Sequence, residues 1–136
     1  MRALLTAASL ALLALPGAAL AGEKSNAKGE AELAKMLEGR VAGKPLKCLP
    51  TYSMQDSTVI DRTAIVYRVG SRLYVNRPKS GAEQLDDGDV LVTKLTGTQL
   101  CNVDKVDLVD SASRMWNGFV VLGDFVPYER VRTSAR

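Results

Sequence analysis

The spacing of apolar residues changes along the chain from a helical period to a strand period. Over residues 26–41 an apolar residue recurs every fourth position, at Leu33, Leu37 and Val41, with charged side chains between them. This spacing places the apolar residues on one face of an amphipathic helix. The pattern predicts one helix that docks on a core rather than one that binds a partner, and Gly39 or Gly43 would end it.

Beyond Pro45 the apolar residues alternate with polar ones, as in strands. Residues 63–76 (TAIVYRVGSRLYVN) contain two alternating runs on either side of Gly70-Ser71, which predicts a β-hairpin with a two-residue turn. A further interruption at Gly123-Asp124 indicates a bulge or a tight turn within the last strand. The remaining predicted strands cover residues 89–96, 99–103, 105–110 and 119–126.

The order of these elements predicts a mainly β fold, α+β at the margin. One N-terminal helix is followed by about five to seven short strands, with turn signals roughly 8–12 residues apart. This regular spacing favours a small antiparallel sandwich or barrel. Residues 22–45 would form an N-terminal segment that contains the helix, and residues 46–136 the small β domain.

The start of the chain has the three-part layout of a secretory signal peptide. Arg2 precedes an apolar run over residues 3–15, Pro16-Gly17 interrupts it, and Ala19-Leu20-Ala21 offers small residues at a cleavage site. The run is shorter than the about 20 residues that a membrane-spanning helix needs. We therefore predict that residues 1–21 are cleaved, and that the mature chain is periplasmic and has no membrane span.

The two cysteines, Cys48 and Cys101, are expected to form one structural disulfide. Export brings thiols into an oxidising compartment, and a bridge across this loop would stabilise the fold by roughly 4 kcal/mol. The chain has no histidine and no Cys-x-x-Cys pair, so a zinc site or a Cys-His centre lacks its residues. A free or intermolecular thiol is the alternative.

The absence of histidine also excludes a Ser-His-Asp centre and removes the commonest general base. Paired carboxylates could still hydrolyse a glycoside, with Asp61, Asp87 or Asp124 as candidates. The acidic run LDDGD at residues 85–89 has oxygen ligands for Ca²⁺ but lacks the spacing of a calcium loop, and it is typical of a turn. We therefore assign no catalytic residue, no metal site and no cofactor.

The charge distribution argues against a nucleic-acid partner. The formal charge of +3 falls to about +2 without Arg2, and basic residues are interspersed with acidic ones. A cationic group surrounds the predicted hairpin, where it could bind an anionic lipid head or sugar acid, or contact a partner protein. A solvated hairpin edge that resists aggregation explains it equally well. The candidate ligand-binding residues are Arg68, Arg72, Tyr74 and Arg77.

Several short motifs resemble those of small exported proteins from sphingomonad-type alphaproteobacteria. They are Cys48-Leu49-Pro50, the hairpin sequence GSRLYV at residues 70–75, and Leu100-Cys101. The chain is also similar, more loosely, to a wider proteobacterial domain family of unknown function, over residues 31–128. The resemblance implies a periplasmic location and supplies no catalytic residue.

These observations together predict a non-enzymatic binding or interaction module of the cell envelope, whose partner is an envelope protein or a small ligand. The alternative is a carboxylate-dependent small hydrolase or a secreted enzyme inhibitor. A flat exposed apolar patch would favour the interaction module. A deep pocket with two facing carboxylates would favour hydrolysis, and a projecting rigid loop at residues 78–89 would favour inhibition. Trp116 is expected to cover the core rather than to stack on a ligand.

Overall fold

The computed structural model describes residues 20–132, with side chains from residue 27 onward, so most of the predicted signal peptide lies outside the described residues. Within this range the chain forms one α-helix and ten strands. Their bounds are α1 Leu20–Met36, β1 Arg40–Ala42, β2 Cys48–Pro50, β3 Asp56–Ile60, β4 Ala64–Val69, β5 Arg72–Asn76, β6 Asp89–Thr93, β7 Gln99–Cys101, β8 Lys105–Asp110, β9 Trp116–Val121 and β10 Phe125–Arg130.

The strands form three antiparallel sheets, which confirms the predicted mainly β fold with one helix. The large sheet has five strands in the order β1-β10-β5-β4-β3. The small sheet has three strands, β6-β8-β9, and β2 pairs with β7 in a two-stranded ribbon. Isolated bridges between Leu46 and Phe125 and between Ser80 and Val121 connect these units.

The large sheet is packed on both faces. Along β4, Ile65 and Tyr67 face the main core shared with the small sheet and the ribbon, while Ala64 and Val66 face Leu33 of α1. A strand covered on both sides needs a continuous apolar run, as the sequence AIVY provides. The main core also contains these buried residues: Leu49, Val59, Tyr74, Leu85, Leu100, Val106, Leu108, Val120, Leu122 and Phe125.

The predicted hairpin is confirmed as β4 and β5. Val69 pairs with Arg72 across the two-residue turn Gly70-Ser71. Gly70 has φ of 58°, a left-handed conformation that glycine adopts without the steric penalty of a side chain. The turn therefore uses the residue type that a tight hairpin requires.

The helix ends earlier than the apolar spacing predicted. It stops at Met36, and Gly39 reverses the chain with φ of 71°. Val41, which the apolar spacing places on the helix, lies in β1 opposite Glu129 of β10. Pairing with the edge of the large sheet thus takes precedence over one more helical turn.

The predicted strand over residues 119–126 is two strands in different sheets. β9 belongs to the small sheet and β10 to the large one, and the chain crosses between them at Gly123. The buried amide of Asn76 holds this crossing, since its Nδ2 donates to the Gly123 carbonyl (2.6 Å) and its Oδ1 accepts from the Gly123 N–H (2.9 Å). A Cβ at Gly123 would lie 2.2 Å from the Arg77 carbonyl oxygen, so only glycine fits.

The predicted disulfide is present. Cys48 and Cys101 are bonded and lie directly opposite each other in the β2–β7 ribbon. Both cysteines of the chain are therefore used. The bridge links β2, which follows β1 in the chain, to β7, which lies in the connection between β6 and β8.

Candidate functional site

The main candidate site is the side of the small sheet that faces away from the core. Side chains alternate along each strand, so Val106, Leu108 and Val120 are buried and their neighbours face outward. We call this exposed side the outer face. It consists of Val90, Val92, Lys105, Asp107, Val109, Trp116 and Phe119.

Strand register arranges the outer face in two rows across β6, β8 and β9. Val90 pairs with Val109, which in turn pairs with Trp116. Val92 pairs with Asp107, which in turn pairs with Phe119. Trp116 is 63% exposed, Val90 50% and Phe119 38%. The rows therefore form a continuous, mostly apolar surface with two aromatic rings along β9.

The polar groups at the centre of the outer face interact with one another. Asp107 accepts from Lys105 Nζ at 2.8 Å and from Trp116 Nε1 at 3.4 Å. Lys105 Nζ also lies 5.1 Å from the centroid of the Phe119 ring, a cation–π arrangement. The hydrogen bond from Lys105, with a smaller contribution from Trp116, lowers the pKa of Asp107. These contacts orient both aromatic rings.

The prediction that Trp116 covers the core is wrong, because its side chain is among the more exposed apolar ones in the described chain. Sequence reasoning also missed Val90 and Val92. The run Val90-Leu91-Val92 indicates a strand but not which of its faces is covered, and of these three residues only Leu91 packs against the main core. The sequence signal for this exposed face is the continuous apolar run itself, because a strand with only one covered face needs apolar residues only at alternate positions.

A groove runs beside the outer face, between the edge strands β3 and β6. Its wider part has a volume of about 500 Å³. Met54, Leu91 and Leu95 contribute apolar surface to it. A second, more acidic part continues past Asp56 and Leu91. We call the two parts together the edge groove. It is lined by Glu32, Thr51, Met54, Gln55, Asp56, Ser57, Thr58, Val59, Tyr67, Asp87, Asp89, Val90, Leu91, Thr93, Leu95 and Leu100.

The structure separates the four candidate residues of the hairpin only in part, since Arg72 still interacts with the Tyr74 side chain. Tyr74 is 7% exposed and belongs to the main core. Arg77 forms an ion pair with Glu30 of α1, with Nη2 2.8 Å from Oε2. Arg72 Nε lies 2.7 Å from Glu129 Oε1, and Arg68 is exposed near the hairpin turn. Arg77 thus holds the helix, and the other two arginines remain at the turn.

Two arginines that sequence reasoning missed join the turn from distant parts of the chain. Arg40 of β1 pairs in register with Arg130 of β10. Arg40 Nη1 donates to the Ser71 carbonyl at 2.8 Å. Burial, followed by the charges of Arg130 and Arg68, lowers the pKa of Arg40. Arg40 and Arg130 lie near the turn because β1, β10 and β5 are neighbours in the large sheet, and no local sequence pattern reveals that order.

The candidate carboxylates are brought together only in part. Carboxylate oxygens of Asp61, Asp86 and Asp87 lie within 4.8 Å of one another at the surface. Asp61 Oδ1 accepts from the Asp87 N–H (2.7 Å), and Asp86 Oδ1 accepts from the Gly88 N–H (2.9 Å). Asp124 instead accepts from Asn102. The LDDGD segment is therefore a hydrogen-bonded turn, as predicted, and its carboxylates do not face each other across a deep pocket.

Residues 78–89 follow the surface instead of projecting from it. The Lys79 N–H donates to the Val121 carbonyl at 2.8 Å, and Leu85 is buried in the main core. The Leu85 carbonyl also accepts a hydrogen bond from the Arg62 N–H at 3.1 Å. These anchors give the segment no protruding, inhibitor-like loop.

No protein-family model, curated protein or solved structure matches the chain. The resemblance to small exported proteins therefore stays a prediction. Over residues 20–132 there is no helix with the length and apolar character needed to cross a membrane. The disulfide fits an exported protein.

Proposed function

We propose that the protein is a non-enzymatic interaction module of the cell envelope that binds another protein through the outer face. The observation that carries the proposal is the exposed apolar surface on one side of the small sheet. Monomeric proteins rarely expose contiguous apolar patches of large size, and such patches mark interaction sites. Trp116 and Phe119 are of the types that supply most binding energy in protein interfaces.

The shape of the outer face favours a protein partner over a small ligand. Small ligands bind in concave pockets that bury most of their surface. The outer face is a sheet surface whose rows of side chains are set by strand pairing. Its central Asp107 is already paired with Lys105, so docking would not leave an isolated buried charge.

The proposed periplasmic location rests on three observations. The first residues have the layout of a signal peptide, the two cysteines are joined, and the motifs resemble those of exported proteins. Disulfides persist in oxidising compartments such as the periplasm. The carboxylate-dependent hydrolase and the inhibitor have less support, because the carboxylates lie at the surface and residues 78–89 are anchored.

Site-specific photo-crosslinking in cells that export the protein tests this function. The crosslinking amino acid p-benzoylphenylalanine would replace Phe119 in one variant and the exposed Val41 of β1 in a control. We expect a discrete crosslinked protein at position 119 and none at position 41. Equal crosslinking at both positions, or none at either, would contradict the proposal.

A second measurement uses the partner identified in this way. Trp116→Ala should weaken its binding roughly 10- to 100-fold, because central aromatic side chains dominate such interfaces. Val131→Ala, at another exposed apolar position, should leave the affinity unchanged. If the partner bound the Trp116→Ala variant with unchanged affinity, the interface would not lie on the outer face.

A further inference from the structure

We propose that β6 binds an extended segment of the partner as an added strand, and that this segment alternates apolar with basic residues. This inference rests on the proposed function, since an added strand would widen the outer face at β6. The small sheet has three strands against five in the large sheet, and β6 is its free edge beside the edge groove. Strand addition at a free sheet edge is a recurring mode of peptide recognition.

The main chain of β6 offers hydrogen bonds toward the edge groove. The Ser111 N–H donates to the Gly88 carbonyl at 3.1 Å, which sets the alternation of the β6–β8 ladder. By that alternation Val90 and Val92 bond to β8, while Leu91 and Thr93 direct their N–H and C=O groups away from it. The free edge therefore presents two donors and two acceptors at the spacing of a strand.

The opposite wall of the groove is less suited to receive a strand. There the Ser57 N–H of β3 donates to Oδ1 of the neighbouring Asp56 at 2.8 Å. This side chain satisfies the donor that an added strand would need. The Asp89 N–H of β6 is likewise occupied by the Asp86 carbonyl (3.0 Å), so pairing would centre on Leu91 and Thr93.

The surroundings of β6 match a segment with alternating side chains. Side chains on one face of an added strand would enter the edge groove, which has about 500 Å³ in its wider part and apolar surface from Met54 and Leu95. Side chains on its other face would lie beside Val90 and Val92 and extend the rows of the outer face. The apolar side chains of the segment would thus lie against the outer face, and its alternate, basic side chains would lie in the edge groove.

The negative charge of the edge groove indicates which polar residues the bound segment would carry. Four carboxylates line the edge groove, and its described lining contains no lysine or arginine. Lysine or arginine in the partner segment would complement these carboxylates, whereas an acidic segment would be repelled. A second copy pairing through its own β6 would bring another acidic wall, so a basic partner fits better. The four carboxylates belong to Glu32, Asp56, Asp87 and Asp89.

The test uses three synthetic peptides with blocked termini and the sequences VKVKVKV, VEVEVEV and VVVVKKK. Titration of the mature protein, followed by NMR, should show that VKVKVKV binds at least about tenfold more tightly than either of the others. Hydrogen exchange at the amides of Leu91 and Thr93 should slow in its complex. Equal affinity for the lysine and glutamate peptides would overturn the proposal.

Two variants test the mechanism at the edge. Thr93→Pro removes an N–H that points away from β8, a position where an edge strand tolerates proline, and should weaken VKVKVKV binding about tenfold. Thr93→Val keeps the N–H and is the matched control. Asp56→Asn should also weaken binding, while Glu83→Gln, outside the groove, should not. Unchanged binding by a folded Thr93→Pro variant would overturn the inference, and if that variant fails to fold, the exchange measurement decides.

Self-association and crosslinking of the Thr93→Pro variant distinguish this inference from the proposed function. A concentration-dependent dimer without peptide, lost in Thr93→Pro, would identify a second copy as the occupant and overturn the inference. Persistent crosslinking at position 119 in the Thr93→Pro variant would uphold the outer face as an interaction surface while overturning strand addition. Loss of crosslinking in that variant but not in Thr93→Val would support both.

Discussion

The large and small sheets differ in how they are covered. The large sheet has α1 on one face and the main core on the other, so four consecutive residues of β4 are buried. The small sheet contributes one face to the same core and leaves the other exposed. Apolar side chains on the covered faces stabilise the fold, whereas those on the outer face remain exposed.

The two phenylalanines of the chain represent this difference at the level of single residues. Phe125 of β10 is fully buried, and its ring centroid lies 5.7 Å from that of Tyr67. Phe119 of β9 lies on the outer face beneath Lys105. Phenylalanine therefore occurs once in the main core and once on the outer face, and substitution can compare the two positions.

The largest expected effect is the loss of the Phe125 ring. Phe125→Ala should lower the free energy of unfolding by about 3–5 kcal/mol, because it removes buried surface and leaves a cavity. Phe119→Ala should lower it by less than about 1 kcal/mol. Urea denaturation measures the free energy of unfolding of both variants. Similar losses of stability would show that Phe119 is buried in the isolated protein.

Removal of the disulfide is expected to have the next largest effect. The double variant Cys48→Ser, Cys101→Ser should lose about 2–4 kcal/mol, since the unfolded chain regains the entropy of an open loop. Reduction of the wild-type protein should have the same effect in urea denaturation. Alkylation without reductant should label neither cysteine, and labelling of both in exported protein would contradict the bridge.

The crossing between the sheets is expected to depend on Asn76. Asn76→Ala should lower the free energy of unfolding by roughly 1–3 kcal/mol, because the buried N–H and carbonyl of Gly123 lose their partners. Asn117→Ala, at an exposed position on β9, provides the control. Thermal unfolding compares the two, and a loss no larger than the control's would mean that water replaces the amide.

The smallest effect should come from the ion pair that holds α1. The hydrogen bond from Arg77 lowers the pKa of Glu30 below its ordinary value of 4.5. The pair is half exposed, so its contribution should be about 0.5 kcal/mol. That contribution is complete above the unfolded-state pKa and disappears as the pH falls through the lower, folded-state pKa.

Glu30→Gln should remove this part of the pH dependence of stability. Unfolding measured between about pH 3 and pH 6 should show a flatter profile for Glu30→Gln than for the wild type. Glu38→Gln, at an exposed position beyond the helix, should keep the wild-type slope. Parallel profiles for all three proteins would exclude the ion pair as a stabilising contact.

Local pattern was sufficient for the elements whose determinants are close in sequence. The hairpin over residues 63–76 was predictable because its turn glycine and its alternating strands are contiguous. Cys48 and Cys101 were predictable as a pair because no third cysteine competes. The mainly β class followed from the strand period alone.

The candidate site was much less predictable. The pattern at Val90-Leu91-Val92 indicates a strand but not how many of its faces are covered, because coverage depends on elements distant in sequence. Trp116 was assigned to the core for the same reason. The arginines predicted as one cluster stay together only in part, since Arg68 and Arg72 remain at the turn and Arg77 pairs with the helix.

The sequence by itself determined the strand-rich class, the hairpin and the disulfide, since each depends on short-range periodicity or on residue count. It also determined that histidine chemistry is absent. Only the tertiary structure decided where the helix ends, that residues 119–126 divide between two sheets, and which apolar face stays open. Those features depend on which strands meet across the chain, and pairing between distant strands leaves no local trace in the pattern of residues.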